Sequence, residues 1–167
     1  MPSHVFAFTP PVGAEVRTSQ GIADYYAPSA DAIGLEEAAT LTSFTLVLPS
    51  ELPDDLKPRP NFRYTGPGRA GTFGIVYLGH AGRQAFLLEF ERARALGRAA
   101  RMVAVGQKQG WLVPDPIDGH KFSLYLMEPE PDPGPDGRPW PGGVELQAWG
   151  LSLDEAVAML VSLEPYR

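Results

Sequence analysis

Gly66-Pro-Gly68-Arg-Ala-Gly71 spaces three glycines as G-x-G-x-x-G, the pattern that lets a backbone approach a pyrophosphate. That chemistry also needs a helix N-terminus behind the glycines. Here a β-rich run, Thr72–Leu78, follows instead, so the segment reads as a turn between strands. Three histidines, His4, His80 and His120, could ligate a metal or act as bases, but no two stand at metal-ligand spacing. Asp132, Asp136 and Gly137 imitate the start of a calcium loop, yet Gly143 occupies the place of its bidentate glutamate. The paired acids Glu36/Glu37 and Asp54/Asp55 read as helix-cap and turn charges rather than as an acid/base pair.

The run Gly68–Tyr77 also looks like the glycine-rich loop of a protein kinase. Its first two glycines are three apart rather than two, and no Val-Ala-Ile-Lys, His-Arg-Asp or Asp-Phe-Gly follows. No Gly-x-Ser-x-Gly occurs, and no serine stands close in sequence to a histidine that could serve as its base. No catalytic residue, metal ligand or cofactor-binding residue is therefore assigned, and no cofactor is expected. A small hydrolase whose carboxylates meet only in space is the enzymatic alternative.

One charged stretch stands out. Arg92, Arg94, Arg98, Arg101 and Lys108 make residues 92–108 basic in a chain of net charge −6. Such a stretch is either a solvated sheet edge guarded against association or a contact for an acidic partner or lipid headgroup. Trp140, isolated in a polar Pro-rich run, is the aromatic counterpart: a lid anchor or a contact residue. As a contact, its replacement by alanine should weaken a partner and leave the melting temperature nearly unchanged. Trp111 and Trp149 fall on strands and read as core.

The elements that would position these residues follow from composition and pattern. With 18 Gly and 18 Pro in 167 residues, the chain is too rich in helix breakers for a bundle and suits strands and turns. No cysteine is present, which excludes disulfides and thiolate sites, and the negative charge argues against nucleic acid. No run approaches a membrane span, and Met-Pro-Ser-His does not begin a signal peptide. A short helix is expected over Leu35–Leu41. Strands are expected at Val5–Phe8, Gly13–Arg17, Phe44–Leu48, Phe62–Tyr64, Thr72–Leu78, Gln84–Phe90, Arg101–Val105, Trp111–Val113, Phe122–Met127 and Val144–Trp149. Glu128–Gly143 reads as a flexible connection. Ser152-Leu-Asp-Glu155 is a capping box opening a terminal helix with Leu153, Val157, Leu160 and Val161 on one face.

The fold expected is α+β: an antiparallel sheet, a C-terminal amphipathic helix packed on one face, and a second short helix near 35–41. Residues 1–34 form an N-terminal strand and linker, and 35–167 a single domain with its loop at 128–143.

Three stretches, in order, resemble the lipoprotein-carrier-like (LolA-like) domains and the C-terminal part of RseB/MucB-type envelope-stress regulators. They are Phe6–Val16, an aromatic strand, Pro and Gly-x-x-Val; Glu37–Pro53, a short helix, an aromatic-apolar strand and Pro-x-x-Leu-Pro; and Val144–Leu163, a strand, capped turn and helix. The resemblance implies a bacterial envelope module in the periplasm or at the cell surface. It would bind without catalysis, contacting a lipoprotein, an acyl chain or a membrane regulator. If residues 1–18 correspond to the last strand of a carrier-like domain, the rest of that domain and its lipid cavity are missing. The rival reading is a cytoplasmic domain sharing the same strand-helix grammar.

Overall fold

The computed structural model describes residues 33–59, 62–64, 71–93, 95–96, 99–127 and 134–166. The expected strands at 5–8 and 13–17, and the first stretch of the resemblance, lie outside them.

Alternating β-rich runs become strands wherever a neighbour can take their hydrogen bonds. In chain order the elements are α1 (Leu35–Leu41), β1 (Val47–Pro49), β2 (Lys57–Pro58), β3 (Phe62–Tyr64), β4 (Thr72–Leu78) and β5 (Gln84–Phe90). They continue with β6 (Arg101–Val105), β7 (Lys108–Pro114), β8 (Lys121–Met127), β9 (Gly143–Trp149), α2 (Leu153–Val161) and β10 (Leu163–Pro165). The main sheet runs β2-β4-β5-β9-β8-β7-β6, with β3 also paired to β4. Every pairing is antiparallel. The chain leaves β5, crosses to the far edge, returns as the meander β6-β7-β8, and closes the sheet by inserting β9 between β8 and β5. β1 and β10 form a separate two-stranded ribbon.

Alternation puts Phe73, Ile75, Tyr77, Leu87, Leu124, Leu126, Val144 and Leu146 on one face, where α1, the ribbon and α2 complete the core. The α+β architecture, with the terminal helix packed on the sheet, is the one the sequence implies. The opposite face carries Val76, Leu88, Phe90 and Glu145, which are buried too.

Four local readings are corrected, one of them the strand expected at Trp111–Val113, which runs Lys108–Pro114 after a two-residue turn at Gly106-Gln107. The first strand is Val47–Pro49, not Phe44–Leu48. Pro49 extends it because, among the described residues, β1 is flanked on one side only, so a missing N–H costs no ladder bond. The buried stripe of α2 is Ala156, Met159 and Leu160, while Leu153 and Val161 are exposed. The helix is rolled so that Ala156, Met159 and Leu160 enter the core. Trp111 and Trp149 lie half-buried on the opposite face and do not join the core cluster, and Trp149 instead receives the Lys121 ammonium 4.8 Å from its ring centre.

The capping box forms as expected. Ser152 Oγ accepts from Glu155 N–H, and the Glu155 carboxylate accepts from Ser152 N–H at 2.8 Å. Arg83 on the β4–β5 turn also pairs with Glu155 and with Asp55 at 2.9 Å, holding the helix N-terminus against the sheet. These hydrogen bonds, the backbone one first, hold the Glu155 carboxyl below its usual range. Ser152→Ala is expected to cost about 1 kcal/mol, read as a lower urea midpoint with an unchanged slope.

Candidate functional site

The two ends of the sheet differ in chemistry. At one end stand the β4–β5 turn, the β7–β8 turn and the start of α2, with His80 and His120 exposed. Asp54 and Asp55 lie in a turn beside them. Asp55 is held by Arg83, which leaves it a structural role. Glu36 and Glu37 occupy the first turn of α1. Among the described residues no three His, Cys, Asp or Glu side chains form a group able to hold a metal ion.

At the other end, between the helix-side face of the sheet and the ribbon, lies a cavity of about 520 Å³. Its floor is Leu126 and Val144. Val47 and Leu163 of the ribbon form one wall, and Leu160 and Val161 of α2 another. Trp140 and Pro141 stand at the side, and Gly106, Gln107 and Lys108 of the β6–β7 turn close the far rim. Gly106 has φ +60, the value demanded of the first residue in a two-residue hairpin turn of this hand.

Trp140 is set in place by a clip. Asp136 Oδ1 accepts from Thr45 Oγ1 at 2.5 Å, and Asp136 also accepts from Arg138. Arg138 in turn donates to the carbonyls of Ala39 and Thr42 at the end of α1, and Thr45 N–H donates to the Pro139 carbonyl. The Thr45 hydroxyl, together with Arg138, pulls the Asp136 carboxyl down to about 2. Gly142 then lets the chain pass so close to Glu91 that a Cβ there would sit 2.7 Å from the Glu91 carbonyl oxygen. Of the expected loop at 128–143, residues 128–133 lie outside the described ones. Residues 134–142 are tied down by these bonds, and Gly143 belongs to β9.

Directly behind the cavity wall is a residue that the sequence reading passed over. Glu89, on β5, is fully buried on the helix-side face between Phe73 and Val144. Its Oε2 accepts the Val47 N–H at 3.0 Å, while Oε1 meets no hydrogen-bond donor among the described residues. Burial outweighs that hydrogen bond and pushes the Glu89 carboxyl well above its ordinary range, which favours the protonated form. The only sequence signal was an acid at an inward position of an otherwise apolar strand.

On the opposite face, Glu145 Oε1 accepts from Ser123 Oγ, Tyr125 OH and Gln147 Nε2 at 3.1, 2.9 and 2.8 Å. An oxygen already taking three donors is a structural acceptor. Ser123 thus donates to a carboxylate, and nothing in the cluster marks it as a nucleophile.

Of the residues singled out as contacts, Trp140 lines the cavity. Arg92 and Arg101 are both exposed but four strands apart, roughly 19 Å across the sheet. Arg94 and Arg98 lie outside the described residues. Compared with family models, curated proteins and solved structures, the chain finds no match.

Proposed function

We propose that the protein is a non-enzymatic binding module of the bacterial cell envelope, and that it holds an apolar ligand or the lipidated part of a partner in the cavity beside Trp140. The carrying observation is the cavity itself. At about 520 Å³ it has the size of a small-molecule site, and its lining joins branched aliphatics and one indole to Gln107 and Lys108 at the rim. The resemblance to envelope proteins supports the reading through two stretches that fall on described elements: α1 with β1, and β9 with the capped helix α2.

Native mass spectrometry of the protein from its own host, without lipid stripping, tests this directly. A co-purifying lipid or lipoprotein is expected. A bare chain that also fails to take up a brominated fatty acid, followed by tryptophan quenching, would refute the reading. Trp140→Ala is expected to weaken that uptake at least tenfold. Because the indole also packs partly against the core, the variant should lose about 1–2 kcal/mol, in place of the unchanged melting temperature expected from sequence. Extracytoplasmic location is tested by fractionating the host, where recovery with the cytoplasm would favour the rival reading.

A further inference from the structure

The polar groups of the cavity are not scattered over its walls. Floor and walls are aliphatic, indole and proline side chains, and Gln107 and Lys108 meet them from the β6–β7 turn. The hairpin fixes where Lys108 stands. It is paired with Val105, and residues directly opposite on neighbouring strands share a face, so both lie on the helix side of the sheet, where the cavity is. Lys108 is exposed and also lines the cavity, which puts its stem on the apolar wall and its charge at the mouth.

The sign of that charge is informative. The chain as a whole carries −6, yet among the described residues the lining holds one cation and no acid. A second cation stands at the same end of the sheet. Arg92, two residues beyond β5, is exposed, and its Cα is 2.9 Å from where a Cβ on Gly142 would sit, next to Pro141 of the cavity. Asp136, on the clip that sets Trp140, is already taken by Thr45 and Arg138.

Resting on this cavity as the binding site, we propose that its ligand is a single-chain amphiphile with an anionic head, a carboxylate or a phosphate monoester. The tail lies over Leu126 and Val144, and the head meets Lys108 at the mouth. Burial of the tail supplies most of the affinity, and the head decides the class. A volume of about 520 Å³ lies in the lower half of the range of ligand sites, which suits one chain rather than two. A neutral head gains nothing from Lys108, and a cationic head is repelled by it.

Brominated amphiphiles of one chain length test this through tryptophan quenching, because Trp140 lines the cavity while Trp111 and Trp149 lie on the opposite face. The set is bromododecanoate, the matching alkyl phosphate, the matching alcohol and the matching trimethylammonium salt. At low ionic strength one anion or both should bind tightest, with the alcohol about fivefold weaker and the cation weaker still. Salt at about 1 M should bring anions and alcohol together. Lys108→Gln, at an exposed position and with an unchanged circular dichroism spectrum, should bring the anions down to the alcohol at low salt. The tighter of the two anions identifies the head as carboxylate or phosphate. An alcohol that binds as well as both anions overturns the proposal and leaves the cavity a binding site. So does a preference for anions that persists in folded Lys108→Gln. Quenching by none of the four compounds overturns the binding site itself, and this proposal with it.

Discussion

Glu89→Gln should flatten the fall in stability that accompanies a rise in pH above the ordinary carboxylate range. In the unfolded chain this carboxyl titrates near its ordinary 4.5, while burial in the folded chain raises its pKa well above that. Below the unfolded value both states carry the proton and nothing is lost. As pH rises past it, the unfolded chain releases the proton and the folded chain keeps it. Stability therefore falls with rising pH, by up to about 1.4 kcal/mol per unit, until the folded value is crossed.

The other shifted carboxyls act in the opposite direction and lower down. Asp136 falls to about 2, while Asp115 and Glu155 are held low chiefly by backbone hydrogen bonds. Their contribution is present above the unfolded values and lost as pH falls. Tyr77, raised by burial and then by the neighbouring Glu89, leaves the window untouched because it titrates in strong alkali. The wild type should thus be most stable near pH 5, with Glu89 setting the slope above it. Urea unfolding at four pH values, wild type beside Glu89→Gln, measures this. Parallel slopes for the two proteins would show that Glu89 is not the group responsible. Glu89→Leu should also be flat but weaker by about 1–3 kcal/mol, since the buried Val47 N–H loses its acceptor.

The second large effect is expected at Leu146. It is fully buried at the centre of β9, directly between Leu87 on β5 and Leu124 on β8. Among the described residues, β9 is the only strand joining the β2–β5 half of the sheet to the meander β6–β8. Leu146→Ala should lose about 2–5 kcal/mol, a large share of a domain's total stability, whereas Leu146→Met should lose less than about 1.5 kcal/mol. Unfolding should remain a single transition, because neither half keeps a covered face without β9. Two separated transitions, or a loss below about 1 kcal/mol, would contradict this account of the sheet.

Much of the fold was legible before any coordinates. The bounds of β4, β5 and β6 were readable to the residue, because hairpin turns and alternation are local signals. The capping box at Ser152 is local for the same reason, its two hydrogen bonds spanning three residues. The ribbon was only half visible. β10 is three residues, two of which sit beside no apolar alternation, and it exists because β1 offers it backbone partners. β1 itself slid toward Pro49, since its register is set by Leu163–Pro165 rather than by its own pattern.

The candidate site was legible in one residue and hidden in the rest. Trp140 stood out because an indole among Pro, Asp and Gly has no local core to join. That it borders a cavity follows from Thr45, which is 91 positions from Asp136 and 93 from Arg138 and meets them only when the segment leading into β1 crosses the returning chain. The basic stretch 92–108 looked like one patch because its residues are close in sequence. The crossover from β5 to the far edge separates Arg92 from Arg101 by four strands.

By itself, then, the sequence determined β4, β5 and β6, the turn between β4 and β5 and the capped start of α2, all set by interactions within a few residues, and its pattern implied the α+β class. Tertiary structure alone decided the strand order, the rolled face of α2, the cavity and the burial of Glu89. Each of these depends on which distant surface excludes water from a given side chain, and that is fixed only when β9 enters the sheet.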